Sequence, residues 1–261
     1  MSSAAPVVVV GGGIIGASIA YHLTLKGVAP VVVEGTRVAA AASGKAGGFL
    51  ARGWGDGSAT EQLHRVSFAM HEQLAEKLAV ESYRKLPTMS VRAGRGKAGQ
   101  KHVPWLDKDV SGCSLMDAET AQVSPRELTE KLMAAAVAGG ATLVHGTVEG
   151  VVSGPASDES GAVVLRGVVV DGKEVLAKRV VFALGPWSVL LERWIPGQVI
   201  PLEGVKSTSI VFQHEQGSVA PFALFCEEDR NGCHLEVYPR PNGEVYMCGL
   251  GGSEYLVRTT R

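Results

Sequence analysis

Neither sign of charge dominates this chain of 261 residues: 25 Lys and Arg stand against 26 Asp and Glu, a formal net charge of −1. Without a basic excess there is no electrostatic footprint for nucleic acid or for an anionic membrane surface. Cysteine is scarce as well. Cys113, Cys226, Cys233 and Cys248 form no C-x-x-C pair and no zinc spacing. No metal site is therefore expected, and the thiols read as the reduced cysteines of a cytoplasmic protein. No apolar run reaches the ~20 residues that a membrane span requires. The opening Met1-Ser2-Ser3-Ala4-Ala5-Pro6 carries no basic residue ahead of its apolar run, so a secretory leader is not expected either. Internal repeats and low-complexity tracts are missing too.

Glycine, by contrast, is abundant at 33 residues, and its placement near the start is informative. Val7-Val8-Val9-Val10 is apolar without alternation, the pattern of a strand covered on both faces. Gly11, Gly13 and Gly16 follow in the spacing G-x-G-x-x-G. In a dinucleotide turn the first glycine permits the tight bend, the second lets a pyrophosphate approach the backbone, and the third lets helix and strand pack closely. The helix that follows would aim free amides at the phosphates. Past Gly27, residues 31–33 are again Val, and Glu34 ends this second strand where an acceptor for ribose hydroxyls belongs. Strand, helix, strand and acid in register make a specific signal of a bound dinucleotide.

Residues 38–51 are dominated by small side chains, which suit a backbone lying against a ring system or a diphosphate. Ser58-Ala59-Thr60-Glu61 reads as a capping box that opens a helix ending before Pro87. That helix has Leu63, Val66, Met70, Leu74 and Leu78 on its inner face. His64 and His71 on it lack partner spacing and read as surface or packing histidines. Residues 91–110 read as an exposed loop or hairpin. Ser124-Pro125-Arg126-Glu127 is a second capping box, with proline at the first helical position. Strands are expected over residues 142–152, 162–170, 174–178 and 180–184, with Asp171-Gly172 as a tight hairpin turn. From residue 199 onward, alternating segments and the turn Asn242-Gly243 predict an antiparallel sheet.

A nicotinamide-binding domain continues as alternating β and α units. Here a long insertion follows the second strand and a β-meander precedes the last, a layout more typical of FAD-binding domains. The predicted fold is thus α/β: a Rossmann-like FAD-binding domain with a β-meander, interleaved with a mainly antiparallel substrate-binding sheet. Residues 1–86 and 124–198 form the two parts of the FAD-binding domain, 87–123 a substrate-lobe insertion, and 199–261 the substrate-lobe sheet.

With these residues in place, the chain resembles the FAD-dependent oxidoreductases of the D-amino-acid-oxidase family, which include sarcosine and glycine oxidases. The resemblance rests on the three-glycine turn with Ala17-Ser18-x-Ala20-Tyr21-x-Leu23, on Glu34, and on Ser43-Gly44-Lys45-Ala46-Gly47-Gly48. It extends to Ala183-x-Gly185-x-Trp187 and to Tyr238-Pro239-Arg240-Pro241-x-Gly243-x-Val245-Tyr246. It implies that FAD is the cofactor, with Gly11, Gly13, Ile14, Ile15 and Gly16 around its pyrophosphate and Glu34 on its ribose. Ser43, Gly44, Lys45, Ala46 and Gly47 would line pyrophosphate, ribityl chain and flavin. Val148 would meet adenine through its backbone, and Gly185 with Trp187 would flank the cofactor. It also implies a small-molecule amine or amino-acid substrate, oxidised at a CH–NH bond by hydride transfer to flavin. No Ser/His/Asp constellation is then needed, because the flavin carries the chemistry.

Arg52 falls where some amine-oxidising members place a basic residue near the flavin, and its planar fork suits a carboxylate. A surface ion pair is the alternative for it. Arg240 has the same two readings, with Glu228 or Asp229 as its expected partner. Family members usually continue well past the Gly249 region, so the chain is expected to be a C-terminally truncated product. Two alternatives stay open: a NAD(P)-dependent dehydrogenase, and a non-catalytic cofactor-binding or interaction protein left by truncation.

Overall fold

The computed structural model describes residues 6–106, 109–156, 163–214 and 219–256, and the chain divides into two units. The first takes residues 1–45, 128–204 and 256–261, the second residues 46–127 and 205–255. Residues 46–86, expected with the cofactor-binding part, therefore group with the second unit.

In the first unit the valine runs do what continuous apolarity dictates. Strands β1 (Val8–Val10), β2 (Val31–Glu34), β7 (Thr142–His145) and β11 (Val180–Phe182), numbered in chain order, form a parallel sheet in the order β11-β1-β2-β7. Val8, Val9 and Val32 are wholly buried, each contributing about 1.5–3 kcal/mol. Helix α1 (Ile14–Thr24) joins β1 to β2 and buries Ala17, Ala20 and Tyr21. Helix α3 (Pro125–Ala138) buries Leu128, Leu132, Met133 and Ala136 before β7. The antiparallel meander of β8 (Val148–Pro155), β9 (Val163–Val170) and β10 (Lys173–Leu176) lies between β7 and β11 in sequence. Its Val168 and Val170 share one core with Val8, Val10 and Val33. The turn from β9 to β10 is the expected Asp171-Gly172, with positive φ at both residues (46° and 72°) and Val170 opposite Lys173. A short helix α4 (Leu191–Trp194) follows β11.

The second unit carries an eight-stranded sheet. Its path runs β13 (Ile210–Gln213), β16 (Glu244–Cys248), β15 (Glu236–Pro239), β14 (Ala223–Cys226), β4 (Arg84–Ala93), β6 (Asp109–Gln122) and β3 (Phe49–Ala51), with β5 (Gly96–Lys97) pairing on β6. All pairings are antiparallel except β14 on β4 and β5 on β6. A small ribbon pairs β12 (Val205–Lys206) with β17 (Glu254–Tyr255). Alternation sorts the sheet's two faces. Met89, Val91, Leu224 and Val237 face one core, and Leu86, Ala223, Tyr238 and Tyr246 the other.

Several local expectations are corrected. Helix α2 (Glu61–Lys77) has Thr60 at its cap position without a side-chain cap, and the Glu61 carboxylate accepts from the Gly57 amide (2.9 Å) instead of reaching back to Ser58. Of its apolar stripe, Leu63 and Val66 are 65% and 57% exposed and none is fully buried, the buried residue of the helix being Ala75 off that stripe. Periodicity marks a face but not what covers it. At the second box, Glu127 accepts from the amides of Glu81 and Ser82 (2.8 and 2.9 Å), and the Ser124 amide goes to Ser82 Oγ. The stretch read as leading up to Pro87 is instead β4. Pro87 sits at a register shift between Leu86 and Thr88, where a missing amide is tolerated. Residues 91–93 and 109–110 are likewise strand ends of β4 and β6, which pair antiparallel. Among the described residues no helix is long and apolar enough to cross a membrane. Residues 257–261 of the tail, and Ala162 at the expected start of β9, lie outside the described residues.

Candidate functional site

The parallel order of the first unit reverses direction beside β1, and open sheets of this kind form their crevice at the carboxyl ends of the strands at such a point. A cavity of about 410 Å³ lies there. The chain leaving β1 turns at Gly11 with φ of 108°, and a Cβ on it would stand 2.4 Å from the Ala183 carbonyl oxygen. At Gly16 a Cβ would stand 1.9 Å from the Gly11 oxygen. Both glycines are thus demanded by backbone packed on backbone.

The polar groups of this cavity are few and held. Glu34 Oε2 accepts from the Gly12 amide at 2.7 Å, and Oε1 accepts from the Thr36 amide at 2.8 Å and the Thr36 hydroxyl at 3.2 Å. The first amides of α1 lack intrahelical partners by construction. That of Ile14 donates to Ser43 Oγ at 2.9 Å, and Gly13, at the cap position, offers no side chain of its own. Oε2 thus keeps a lone pair for another donor, whereas Oε1 already accepts two hydrogen bonds.

Of the residues expected at a cofactor, Gly11, Gly13, Ile14, Ile15, Glu34, Ser43, Val148, Gly185 and Trp187 line this one cavity. Gly16 lies behind it, buried against Gly11. Gly44 and Lys45 are not in its wall. A Cβ on Gly44 would meet the Ala39 oxygen at 2.0 Å, so this glycine is needed for chain packing. Ala46 and Gly47 belong to the second unit. The motif reading did not pick out Thr36, Gly146, Thr147 or Trp194, which also line the cavity. Thr36, two residues after the acid, and Gly146-Thr147, at the end of β7, are what strand-end geometry alone would have nominated.

The cavity fits FAD on these observations. Backbone without side chains at Gly11 and Gly13 leaves room beside the start of a helix, amides there suit a pyrophosphate, and an immobilised carboxylate stands at the end of β2.

A second cavity, of about 330 Å³, lies wholly in the second unit, lined by Gly47, Gly48, Phe49, Trp54, Phe225, Glu236, Tyr238 and Cys248. Register builds it: Phe225 lies opposite Glu236, Glu236 opposite Cys248, and Tyr238 opposite Tyr246. Phe49, Trp54 and Phe225 stand with ring centroids 5.0–5.1 Å apart, and Phe49 stacks on Tyr238 at 5.5 Å. The Tyr238 hydroxyl and the Cys248 thiol (3.4 Å) both donate to Glu236 Oε2. Burial, then the adjoining carboxylate, pushes the Tyr238 phenol upward, and the same causes push Cys248 up to about 12. Both remain protonated donors at neutral pH.

The arginines singled out from sequence are occupied. Arg52 pairs with Glu119 at 3.3 Å on the surface, the second of its two readings. Arg240 binds Glu244 at 2.8 Å, donates to the Ala46 carbonyl and lies over the Tyr246 ring, so its partner is neither Glu228 nor Asp229. Glu228 faces His234 instead. His64 and His71 bond within α2 and its first turn. Among the described residues no cluster of His, Cys, Asp or Glu is arranged to hold a metal.

Comparison with known proteins follows the same lines. The family model described as FAD dependent oxidoreductase (DAO) matches residues 6–260. The Schizosaccharomyces pombe protein named Putative oxidoreductase C1F5.03c is 26% identical over 98% of this chain and 73% of its own length. Among solved structures, glycine oxidase from Bacillus cereus aligns with a TM-score of 0.73 at 20% identity, over 98% of this chain and 73% of that one. L-proline dehydrogenase from P. horikoshii aligns with a TM-score of 0.74 at 18% identity, over 95% of this chain and 70% of that one. At such identities the solved structures speak for the fold.

Proposed function

Because the chain belongs to the family of FAD-dependent oxidoreductases that this model describes, we propose that it oxidises a CH–NH bond of an amino acid or secondary amine. The observation that carries the cofactor half of this reading is the first cavity, where the glycine turn, the start of α1 and a fixed carboxylate meet at the ends of parallel strands. FAD as cofactor removes the nicotinamide alternative. Among similar structures, those named glycine oxidase and L-proline dehydrogenase support the amino-acid half by their names alone.

In this reading Glu34 accepts hydrogen bonds from the ribose hydroxyls, held in place by Gly12 and Thr36 so that it need not be ordered on binding. The amides at the start of α1 hold the pyrophosphate, with Gly11 and Gly13 allowing close approach. Ser43 keeps the Ile14 amide satisfied and the 42–44 turn against the helix. Val148 offers its backbone to adenine, and Gly185 and Trp187 flank the cofactor from the turn after β11. The apolar remainder of the wall keeps water out. When bound, the flavin accepts the hydride that leaves the substrate carbon.

The test is a visible absorption spectrum of the purified protein, alone and after incubation with FAD, followed by anaerobic addition of a panel of amino acids and N-methylated amines. A flavin band that bleaches with one class of amine is the expected result. A protein that takes up no flavin, or whose flavin bleaches with none of the panel, overturns the reading.

A further inference from the structure

The second cavity has the composition of a cation site. Three rings, Phe49, Trp54 and Phe225, pack into one cluster in its wall, Phe225 edge to face with both others and Phe49 tilted on Trp54, with Tyr238 stacked on Phe49. The Trp54 indole is fixed by its N–H to Asp117 Oδ2 at 2.8 Å, and Tyr238 is 2% exposed. Aromatic faces carry negative quadrupole potential, and an ammonium group set against such a cluster is attracted to it.

The carboxylate in the same cavity lacks a countercharge. Glu236 is half-buried, and both of its described donors, the Tyr238 hydroxyl and the Cys248 thiol, are neutral and share Oε2. Among the described residues nothing donates to Oε1, no Lys or Arg pairs with Glu236, and none is in the cavity wall. The basic side chains nearest in sequence are occupied: Arg240 by Glu244, and His234 by Glu228. A carboxylate partly withdrawn from water, with no partner cation, favours a positive ligand over a negative one. The site therefore disfavours a carboxylate ligand and calls for a positive one.

We infer that the pocket formed by Phe49, Trp54, Phe225 and Glu236 binds an organic ammonium ion, which is the charged end of the substrate. The carboxylate takes the charge and any N–H, and the ring cluster packs against the alkyl groups on nitrogen. The assignment as a substrate site rests on the amine-oxidising reading above, while the preference for a cation rests on the pocket alone. It narrows that reading from amino acids in general to amines recognised by their nitrogen.

Isothermal titration of the purified chain with choline chloride, beside the uncharged isostere 3,3-dimethylbutan-1-ol and sodium benzoate, reads the preference directly. Choline should bind one to one, with the alcohol weaker by about tenfold or more and benzoate silent. Glu236→Gln keeps an acceptor for Tyr238 and should weaken choline by about tenfold, and Trp54→Leu, at the open rim, should do so by a similar factor. Far-ultraviolet circular dichroism identifies a variant that has failed to fold, and the other variant then decides. Equal affinity for choline and its isostere, binding of benzoate, or unchanged affinity in both folded variants overturns the inference. Choline binding by a chain that takes up no flavin leaves the pocket and removes its role in amine oxidation. A flavin-loaded chain that ignores choline removes the pocket and leaves the oxidoreductase reading standing.

Discussion

The cavity of the first unit is framed by glycines at the ends of parallel strands, whereas that of the second is framed chiefly by large side chains meeting across a sheet. In the first, the decisive distances are those from absent Cβ atoms to carbonyl oxygens, at Gly11 and Gly16. In the second they are ring to ring and donor to carboxylate, on strands far apart in sequence that meet in register. A cavity of backbone is suited to a group common to a whole family, and a cavity of side chains can change its ligand one residue at a time. The two should therefore fail in different ways.

Gly16→Val should break the first cavity outright. Its Cβ would lie inside the Gly11 carbonyl, and no rotamer relieves a clash made by Cβ itself. A cost of about 4 kcal/mol is expected, which is a fall of about 10 °C in melting temperature for a chain of this size. Flavin uptake should be lost with it. Gly150→Ala is the matched control, since a Cβ there meets nothing within 4 Å. It should change stability by less than about 0.5 kcal/mol. Equal effects from the two substitutions would refute the packing argument.

The second unit should be more sensitive to polar pairing inside its sheet. Thr88 and Thr120 are wholly buried, their hydroxyls 2.8 Å apart, with Thr120 donating to the Leu86 carbonyl. Thr120→Val strands the Thr88 hydroxyl and that carbonyl, for an expected loss of about 1–3 kcal/mol. The double variant Thr88→Val with Thr120→Val should lose less than the sum of the two single changes, because the unpaired hydroxyl is gone. Denaturant unfolding of all three variants measures the coupling, and simple additivity would argue against it.

The same contrast explains what the sequence made legible. Gly11, Gly13, Gly16 and Glu34 declare themselves because one local chain segment, strand to helix to strand, builds the site they share. Glu236 and Phe225 do not, because neither has meaning until β14, β15 and β16 are set in register. The apolar stripe of α2 was visible as a period of 3.6, yet Leu63 and Val66 are exposed, since periodicity carries no information about a partner. Pro87 looked like a stop signal, and only the register shift in β4 shows how a strand accommodates it. The capping-box pattern misleads for a related reason. Glu61 and Glu127 found amides outside their own helices, at Gly57 and at Glu81 and Ser82, and a four-residue pattern cannot see those.

A milder change sharpens the first cavity without destroying it. Ser43→Ala removes the acceptor of the Ile14 amide, a contact across 29 positions of sequence that does the work of an N-cap. About 1 kcal/mol of stability should go. If the same hydroxyl also keeps the 42–44 turn in place beside the cofactor, FAD should dissociate more readily from this variant. Flavin fluorescence released on dilution measures that. A variant that loses stability but holds FAD as tightly as the parent would confine Ser43 to a structural role.

The smallest effect expected is a pH dependence in the second unit. The Arg240 guanidinium, hydrogen-bonded to Glu244 with a side chain only 12% exposed, holds the Glu244 carboxyl below its ordinary value of 4.5, against the opposing effect of burial. A carboxyl lowered in the folded state adds stability that is complete above its unfolded value. That contribution is lost as pH falls through the lowered value. Glu244→Gln should therefore cost about 0.5 kcal/mol at pH 7, the scale of a partly exposed ion pair, and progressively less below pH 4.5. Exposed Asp56, Glu227 and Asp229 are lowered as well, by their own hydrogen bonds, and titrate in the same region in both proteins. Only the difference between parent and variant isolates Glu244, and urea midpoints at pH 7 and in acid supply it. A difference that grows as pH falls would mean that Arg240 is held by something other than this carboxylate, and the Tyr246 ring over which it lies would be the next residue to change.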